Sequence, residues 1–138
     1  MAIQKSFVAG GKTVCAAMAS AVLQDELLSI IAQPISESFI IAARAGVEVN
    51  PKQIALRLMT FSPDKKARIV EILTEKAFLQ GTTIKVSPKD FQGGMVAWNS
   101  LLAELLIWNL SDFFELLSSD LKQQAEEERD EKAQSTGI

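Results

Sequence analysis

Four residues near the start of the sequence, Gly10-Gly11-Lys12-Thr13, have the composition of a phosphate-binding loop. In such a loop the backbone amides and the lysine hold the phosphates of a nucleotide, and the pattern needs another glycine five residues before the Gly-Lys pair. Ser6 occupies that position, so the pattern is incomplete. A tight hairpin turn explains the two glycines better than nucleotide binding does, because glycine readily adopts positive φ angles.

The residue types that usually perform catalysis or bind metals are scarce. The chain has one cysteine, Cys15, and no histidine, so no disulfide, no conventional catalytic triad and no zinc or iron site is expected. Carboxylates cluster at Glu126, Glu128 and Asp130, but in a charged segment rather than among the apolar residues that would shift a carboxyl pKa. The sequence therefore predicts a protein that is not an enzyme, with no catalytic residue, cofactor or metal.

Composition and charge fit one folded protein domain. The chain has 138 residues, of which 48% are hydrophobic and 22% are charged, which is enough to bury a core without disulfides. The net charge is −3, and no basic patch dominates, so a nucleic-acid partner is not the first expectation. We expect a cytoplasmic protein, because the sequence shows neither a signal-peptide pattern nor an apolar run long enough to span a membrane.

Glycine, proline and hydrophobic spacing divide the first third of the chain into short elements. Residues 5–14 predict a β-hairpin that turns at Gly10-Gly11. Helical spacing follows from Cys15 to Ala32, and Pro34 is expected to interrupt it. A second helix is predicted over residues 35–45, ending at the glycine that follows.

Three pairs of a capping residue and a proline mark the starts of later elements, since proline is favoured at the first helical position. The predicted elements are a helix from Asn50-Pro51 to about Thr60, a helix from Ser62-Pro63 to about Gln80, and a turn or short helix at Ser87-Pro88. Between the last two, residues 82–86 are rich in β-branched side chains and could add a third strand to the hairpin.

One long helix is predicted from Met95 to about Leu121, and most of its circumference is apolar. A narrow polar stripe is made by Ser100, Glu104, Ser111, Glu115 and Ser118. A helix that is apolar on nearly all sides is buried from more than one direction. In a chain of this size, a second protein could supply part of that burial.

Aromatic residues in this helix are candidates for contact with a partner. Trp108 borders the polar stripe, and a large aromatic ring at the edge of a polar face is typical of a binding hot spot. Phe113 and Phe114 are adjacent and point about 100° apart on a helix, so both cannot face one core. The candidate partner-binding residues are Trp98, Trp108, Phe113, Phe114 and Leu117. The alternative is that both tryptophans simply fill the core.

The composition changes after Leu121, because residues 122–138 are acidic and contain almost no apolar side chain. Such a segment cannot bury a hydrophobic face, which predicts a frayed helical extension that passes into a flexible tail. The predicted organisation is one mostly α-helical domain over residues 1–121, with a short N-terminal β-hairpin, a long apolar helix near its end, and the acidic tail.

The order of residues at the N-terminus is similar to that of a known family. Ser6-Phe7, the two glycines, Thr13-Val14 and a helix predicted from Cys15 through Leu28 resemble the opening of lambda-type phage tail assembly chaperones. The length, the helical body and the charged C-terminal tail resemble that family as well.

The resemblance implies a non-enzymatic protein without a cofactor, located in the cytoplasm of a bacterial host or in the virion. Members of this family self-associate, bind the long helical tape measure protein and recruit tail tube subunits during tail assembly. The same partners are therefore expected for this chain.

Two other functions stay open. The apolar helix could pack permanently against neighbours in a small adaptor or baseplate protein of the virion. A helical subunit of a nucleic-acid-binding complex would need a basic face, and Phe61 is the only aromatic residue near the available cations. Those cations are Lys52, Arg57, Lys65, Lys66 and Arg68.

Overall fold

The computed structural model describes residues 3–47 and 49–136, which form five α-helices and a three-stranded antiparallel sheet. The strands are β1 (Gln4–Ala9), β2 (Lys12–Ala17) and β3 (Ala77–Leu79). The helices are α1 (Ala21–Ala45), α2 (Pro51–Leu58), α3 (Pro63–Thr74), α4 (Met95–Asn109) and α5 (Ser111–Thr136), and a 3-10 helix covers Pro88–Phe91. The prediction of a mostly helical fold that begins with a hairpin is confirmed.

The hairpin is longer than predicted. Its register runs without a gap from Gln4 opposite Ala17 to Ala9 opposite Lys12, around two glycines with positive φ. The prediction that a helix starts at Cys15 is wrong, because residues 15–17 continue β2 and pair with β1 on one side. Cys15 and Ala16 also pair with β3 on the other side. The helix begins only at Ala21, four residues after Ala17, the last residue of β2.

Helix α1 continues through Pro34, so the predicted interruption at this residue is wrong. Proline inside a helix costs about 3 kcal/mol. Leu27 and Ile31 before it, and Ile35 and Phe39 after it, are all buried. Burying one large apolar side chain stabilises the fold by about 1.5–3 kcal/mol, so the four together outweigh the proline.

The starts predicted from capping residues are confirmed. Helix α2 begins at Pro51, where the Asn50 side chain accepts a hydrogen bond from the Lys52 amide at 2.9 Å. Helix α3 begins at Pro63 and the 3-10 helix at Pro88. These starts were predictable because a cap acts within a few residues of itself.

The third strand exists, but it lies a few residues before the predicted position. Ala77–Leu79 pairs with β2, whereas residues 82–86 make one isolated bridge, from Lys85 to Phe78. Gly81 has a φ of +74° and turns this segment back along β3, where the Val86 amide donates to the Ala77 carbonyl at 3.0 Å. Helix α3 consequently ends at Thr74 rather than at Gln80.

The predicted long helix is two helices, α4 and α5, separated at Leu110. The side chain of Gln24 donates to the Asn109 carbonyl at 2.9 Å, and the Asn109 side chain accepts from the Ala19 amide at 2.8 Å. The Asn109 amide group also donates to the Leu105 carbonyl. The Gln24 side chain, on α1, and the Ala19 amide, just before α1, thus provide hydrogen-bond partners for Asn109. The chain can therefore change direction at this point.

These contacts predict different roles for two buried asparagines that each follow a tryptophan. Asn109→Leu should lower the free energy of unfolding by about 1–3 kcal/mol, because the Ala19 amide loses its acceptor. Asn99 is also buried and its Nδ2 donates to the Met95 carbonyl, but its Oδ1 has no hydrogen-bond partner within the described residues. Asn99→Leu is the matched control and should be nearly neutral or stabilising. Urea denaturation of both variants checks this, and equal losses would contradict the role given to Asn109.

Burial of the apolar segment from several sides is confirmed for α4, whose Leu101, Leu102, Leu105 and Leu106 are fully buried. The chain itself provides that burial, since α4 packs against α2, α3 and β1. Helix α5 differs, because it packs mainly against α1 and leaves Leu116 71% exposed.

The segment predicted as an acidic tail continues α5 as far as Thr136, and residues 137 and 138 lie outside the described part. Its side chains from Lys122 to Gln124 and from Glu126 to Asp130 are exposed. Flexibility of this segment in solution stays a prediction.

Candidate partner-binding groove

A groove of about 770 Å³ lies where β1, the end of α1 and the α4–α5 junction meet. Its floor is apolar and consists of Phe7, Phe39, Ile107, Trp108, Phe114 and Leu117, with Val47 and Val49 beside it. Its charged lining residues are Lys5, Glu104, Glu115 and Lys122. We refer to this feature, with these residues, as the groove.

Two aromatic contacts hold the floor in place. The ring of Trp108 meets the ring of Phe7 edge to face, with centroids 5.4 Å apart. The ring of Phe114 lies on Phe39, with centroids 4.1 Å apart. Phe7 and Phe39 are buried, whereas Trp108 and Phe114 are only half-buried. Each outer ring is therefore supported by the core on one side and available to the groove on the other.

The structure brings together three of the five candidate partner-binding residues, Trp108, Phe114 and Leu117. Phe113 does not line the groove but lies against Phe114, with centroids 5.4 Å apart. Trp98 is separate, since it is 6% exposed and packs on Phe91 with centroids 5.7 Å apart. The position of Trp98 therefore agrees with the alternative interpretation, in which its ring fills the core.

Sequence reasoning missed the residues that complete the groove from distant parts of the chain. Phe7 comes from the hairpin, Phe39 from the second half of α1, and Val47 from the segment after α1. The alternation of β1 could have assigned Phe7 to the inner face of the sheet. No local pattern could have placed it under Trp108.

Known proteins do not identify this site. The chain matches no protein-family model, no curated protein and no solved structure. The groove itself is therefore the feature that bears on function.

The charges that line the groove balance, since Lys5 and Lys122 are matched in number by Glu104 and Glu115. The ammonium group of Lys5 lies 5.4 Å from the centroid of the Phe7 ring, so it also touches the apolar floor. A balanced rim gives no electrostatic preference for a strongly charged ligand of either sign. Apolar contact with the floor is the main attraction that the groove can offer.

Residues 3–47 and 49–136 contain no group of three or more histidine, cysteine, aspartate or glutamate side chains that could hold a metal ion. None of the helices in this part of the chain has the length and apolarity needed to cross a membrane. Cys15 is half-buried, with its sulfur 3.6 Å from the hydroxyl oxygen of Ser6.

None of the basic residues that could form a nucleic-acid-binding face lines the groove, and Arg68 is engaged in ion pairs. Its guanidinium donates to the carboxylates of Glu26 and Glu71 and so links α3 to α1. These hydrogen bonds lower the pKa of Glu26 and raise the pKa of Arg68. Phe61, the one nearby aromatic residue, is packed against the core. Because Arg68 is paired with carboxylates and Phe61 is packed against the core, neither side chain is well placed to bind a nucleic acid.

Proposed function

We propose that this protein is a non-enzymatic assembly chaperone that binds another polypeptide in the groove. The observation that carries the proposal is the apolar floor around Trp108, which remains open although the protein has a well-packed core. A concave apolar surface with a few polar groups at its rim is the usual form of a binding site. Trp108 and Phe114 are supported aromatic rings of the kind that anchor protein partners.

The resemblance to lambda-type phage tail assembly chaperones supplies the client, the long helical tape measure protein of a phage tail. Self-association and recruitment of tail tube subunits belong to the same proposal. The exposed acidic end of α5 supports it physically, because net charge keeps a complex with an aggregation-prone client in solution.

A matched pair of variants tests the groove. Val47 and Ile84 are both apolar, both 60% exposed and both outside helices and strands. Of the two, only Val47 lines the groove. Val47→Asp should reduce client recovery at least ~10-fold, because binding would bury an unpaired charge. Ile84→Asp should bind like the unmodified protein. Both changes are at the surface and should alter stability by no more than about 0.5 kcal/mol.

The experiment is affinity purification of each tagged protein from its native host, followed by mass spectrometry and by analysis of purified particles. Recovery of the tape measure protein, sensitive to Val47→Asp and with the bait absent from finished particles, supports a chaperone. Stoichiometric bait in the particle would instead make the protein a structural component of the virion. Recovery that Val47→Asp leaves unchanged would remove the groove from the proposal.

A further inference from the structure

One edge of the sheet is formed by β1, and the hairpin register shows which of its backbone groups point away from β2. The two-residue turn makes Ala9 and Lys12 a hydrogen-bonded pair, so Phe7 and Lys5 also direct their backbone groups toward β2. The bond from the Met18 amide to the Ile3 carbonyl, at 2.8 Å, continues the same alternation.

The residues between them, Gln4, Ser6 and Val8, therefore direct their N–H and C=O groups away from β2. Within residues 3–47 and 49–136, none of these groups bonds to another backbone group. Ser6 and Val8 line the groove, although strand alternation places their side chains on the face opposite to Phe7. From the register, we infer that Ser6 and Val8 reach the groove through the backbone edge of β1.

Strand β1 itself carries few of the features by which edge strands usually prevent further pairing. Natural edge strands are blunted by proline, by bulges or by several charges. The register of β1 has six consecutive pairs without a bulge, and the strand contains no proline and a single charged residue, Lys5. Most of the strand is exposed, and Val8 is 69% exposed.

We propose that the groove binds an extended polypeptide segment of another protein, which adds to β1 as a fourth strand. The proposal rests on the proposed function only in treating the groove as a polypeptide-binding site, and not on the phage context. A bound helix would leave the edge unpaired, because its own backbone groups are bonded internally. An extended segment pairs with Ser6 and Val8 and covers the apolar floor at the same time.

The geometry also specifies the chemistry of the segment. In an added strand every second side chain points to the inner face of the sheet, where Phe7, Trp108 and Phe114 form the floor. Those positions should be apolar, and the balanced charges of the lining favour a segment without net charge.

The proposal is tested with a short, end-capped synthetic peptide that alternates valine with threonine, titrated into the isotope-labelled full chain. Binding should slow hydrogen exchange of the Ser6 and Val8 amides at least ~10-fold and shift the Trp108 indole signal. N-methylation of the peptide residues that face β1 should weaken binding at least ~10-fold. N-methylation of the intervening residues, which face away from β1, is the matched control and should not.

A variant of the protein removes one free donor. Val8→Pro deletes an outward N–H, which edge strands tolerate because no ladder hydrogen bond is lost. It should weaken peptide binding at least ~10-fold. Gln4→Pro, on the same edge but outside the groove, controls for the effect of proline on the hairpin and should weaken binding less.

Two results would overturn the proposal. Equal binding by both N-methylated peptides would show that no strand is added, while the proposed function would still stand if capture of the client remained sensitive to Val47→Asp. A free protein that is dimeric by light scattering, and monomeric after Val8→Pro, would show that a second copy of the chain occupies the edge.

Discussion

Replacement of Trp98 by alanine is expected to lower the free energy of unfolding by about 3–5 kcal/mol, the usual cost of deleting a buried aromatic side chain. The ring is buried at the first turn of α4 and packs on Phe91. Phe91 in turn lies beneath the hairpin turn, so the cavity would open between three elements. Chemical denaturation followed by circular dichroism measures the loss directly.

The matched variant is Trp108→Ala, which removes the same side chain from the other end of α4. Its cost should be roughly half as large, because part of the Trp108 ring is open to the groove and is not removed from water on folding. Client capture should show the opposite order. At temperatures at which both variants are folded, Trp108→Ala should reduce client capture more than Trp98→Ala does. Equal losses of stability would contradict the division of α4 into a core end and a groove end.

Sequence reasoning could not make that division in advance. Helix α4 is apolar around nearly its whole circumference, so hydrophobic periodicity indicates that it is buried but not which neighbour covers each face. Trp98 and Trp108 are each followed by asparagine, which gives them the same local context. Only the positions of Phe91 and Phe7 in the folded chain distinguish the two.

Features that depend on a few neighbouring residues were predictable. The turn at Gly10-Gly11 and the helix starts after Asn50, Ser62 and Ser87 lie where the sequence predicts them. Glycine conformation and N-terminal capping act over less than one helical turn, so tertiary structure has little opportunity to override them.

Features that depend on pairing between distant segments were not predictable. Residues 15–17 have helical spacing, yet they form the middle strand because β1 and β3 pair with both of their edges. Pro34 should end a helix, yet buried side chains on both sides of it keep α1 continuous. In each example a weak local preference loses to apolar burial or to a complete hydrogen-bond ladder.

The groove depends both on local sequence features and on contacts between distant segments. Trp108, Phe114 and Leu117 could be nominated from one stretch of sequence, because they occur together near a polar stripe. Their arrangement as one floor depends on the break at Leu110, which lets α5 pack along α1 and places Phe114 on Phe39. That break follows from hydrogen bonds to residues about 85–90 positions away in the chain.

The second large effect on stability is expected at the hairpin turn. Its two glycines both have a positive φ but have different surroundings. Gly10 and Gly11 have φ values of +56° and +77°, which cost a residue with a side chain about 1–2 kcal/mol. A Cβ atom at position 11 would meet nothing within 4 Å. At position 10 it would lie 3.0 Å from the Phe91 ring and 3.3 Å from the Ala97 side chain.

Gly11→Ala should therefore cost about 1–2 kcal/mol, from backbone conformation alone. Gly10→Ala should cost about 2–5 kcal/mol, because overpacking against a buried ring adds about 1–3 kcal/mol. Asparagine tolerates positive φ, so Gly11→Asn should recover most of its loss, while Gly10→Asn should not because the contact with Phe91 remains. Urea denaturation of the four variants separates the two terms. Equal costs at both positions would mean that contact with Phe91 does not constrain the hairpin turn.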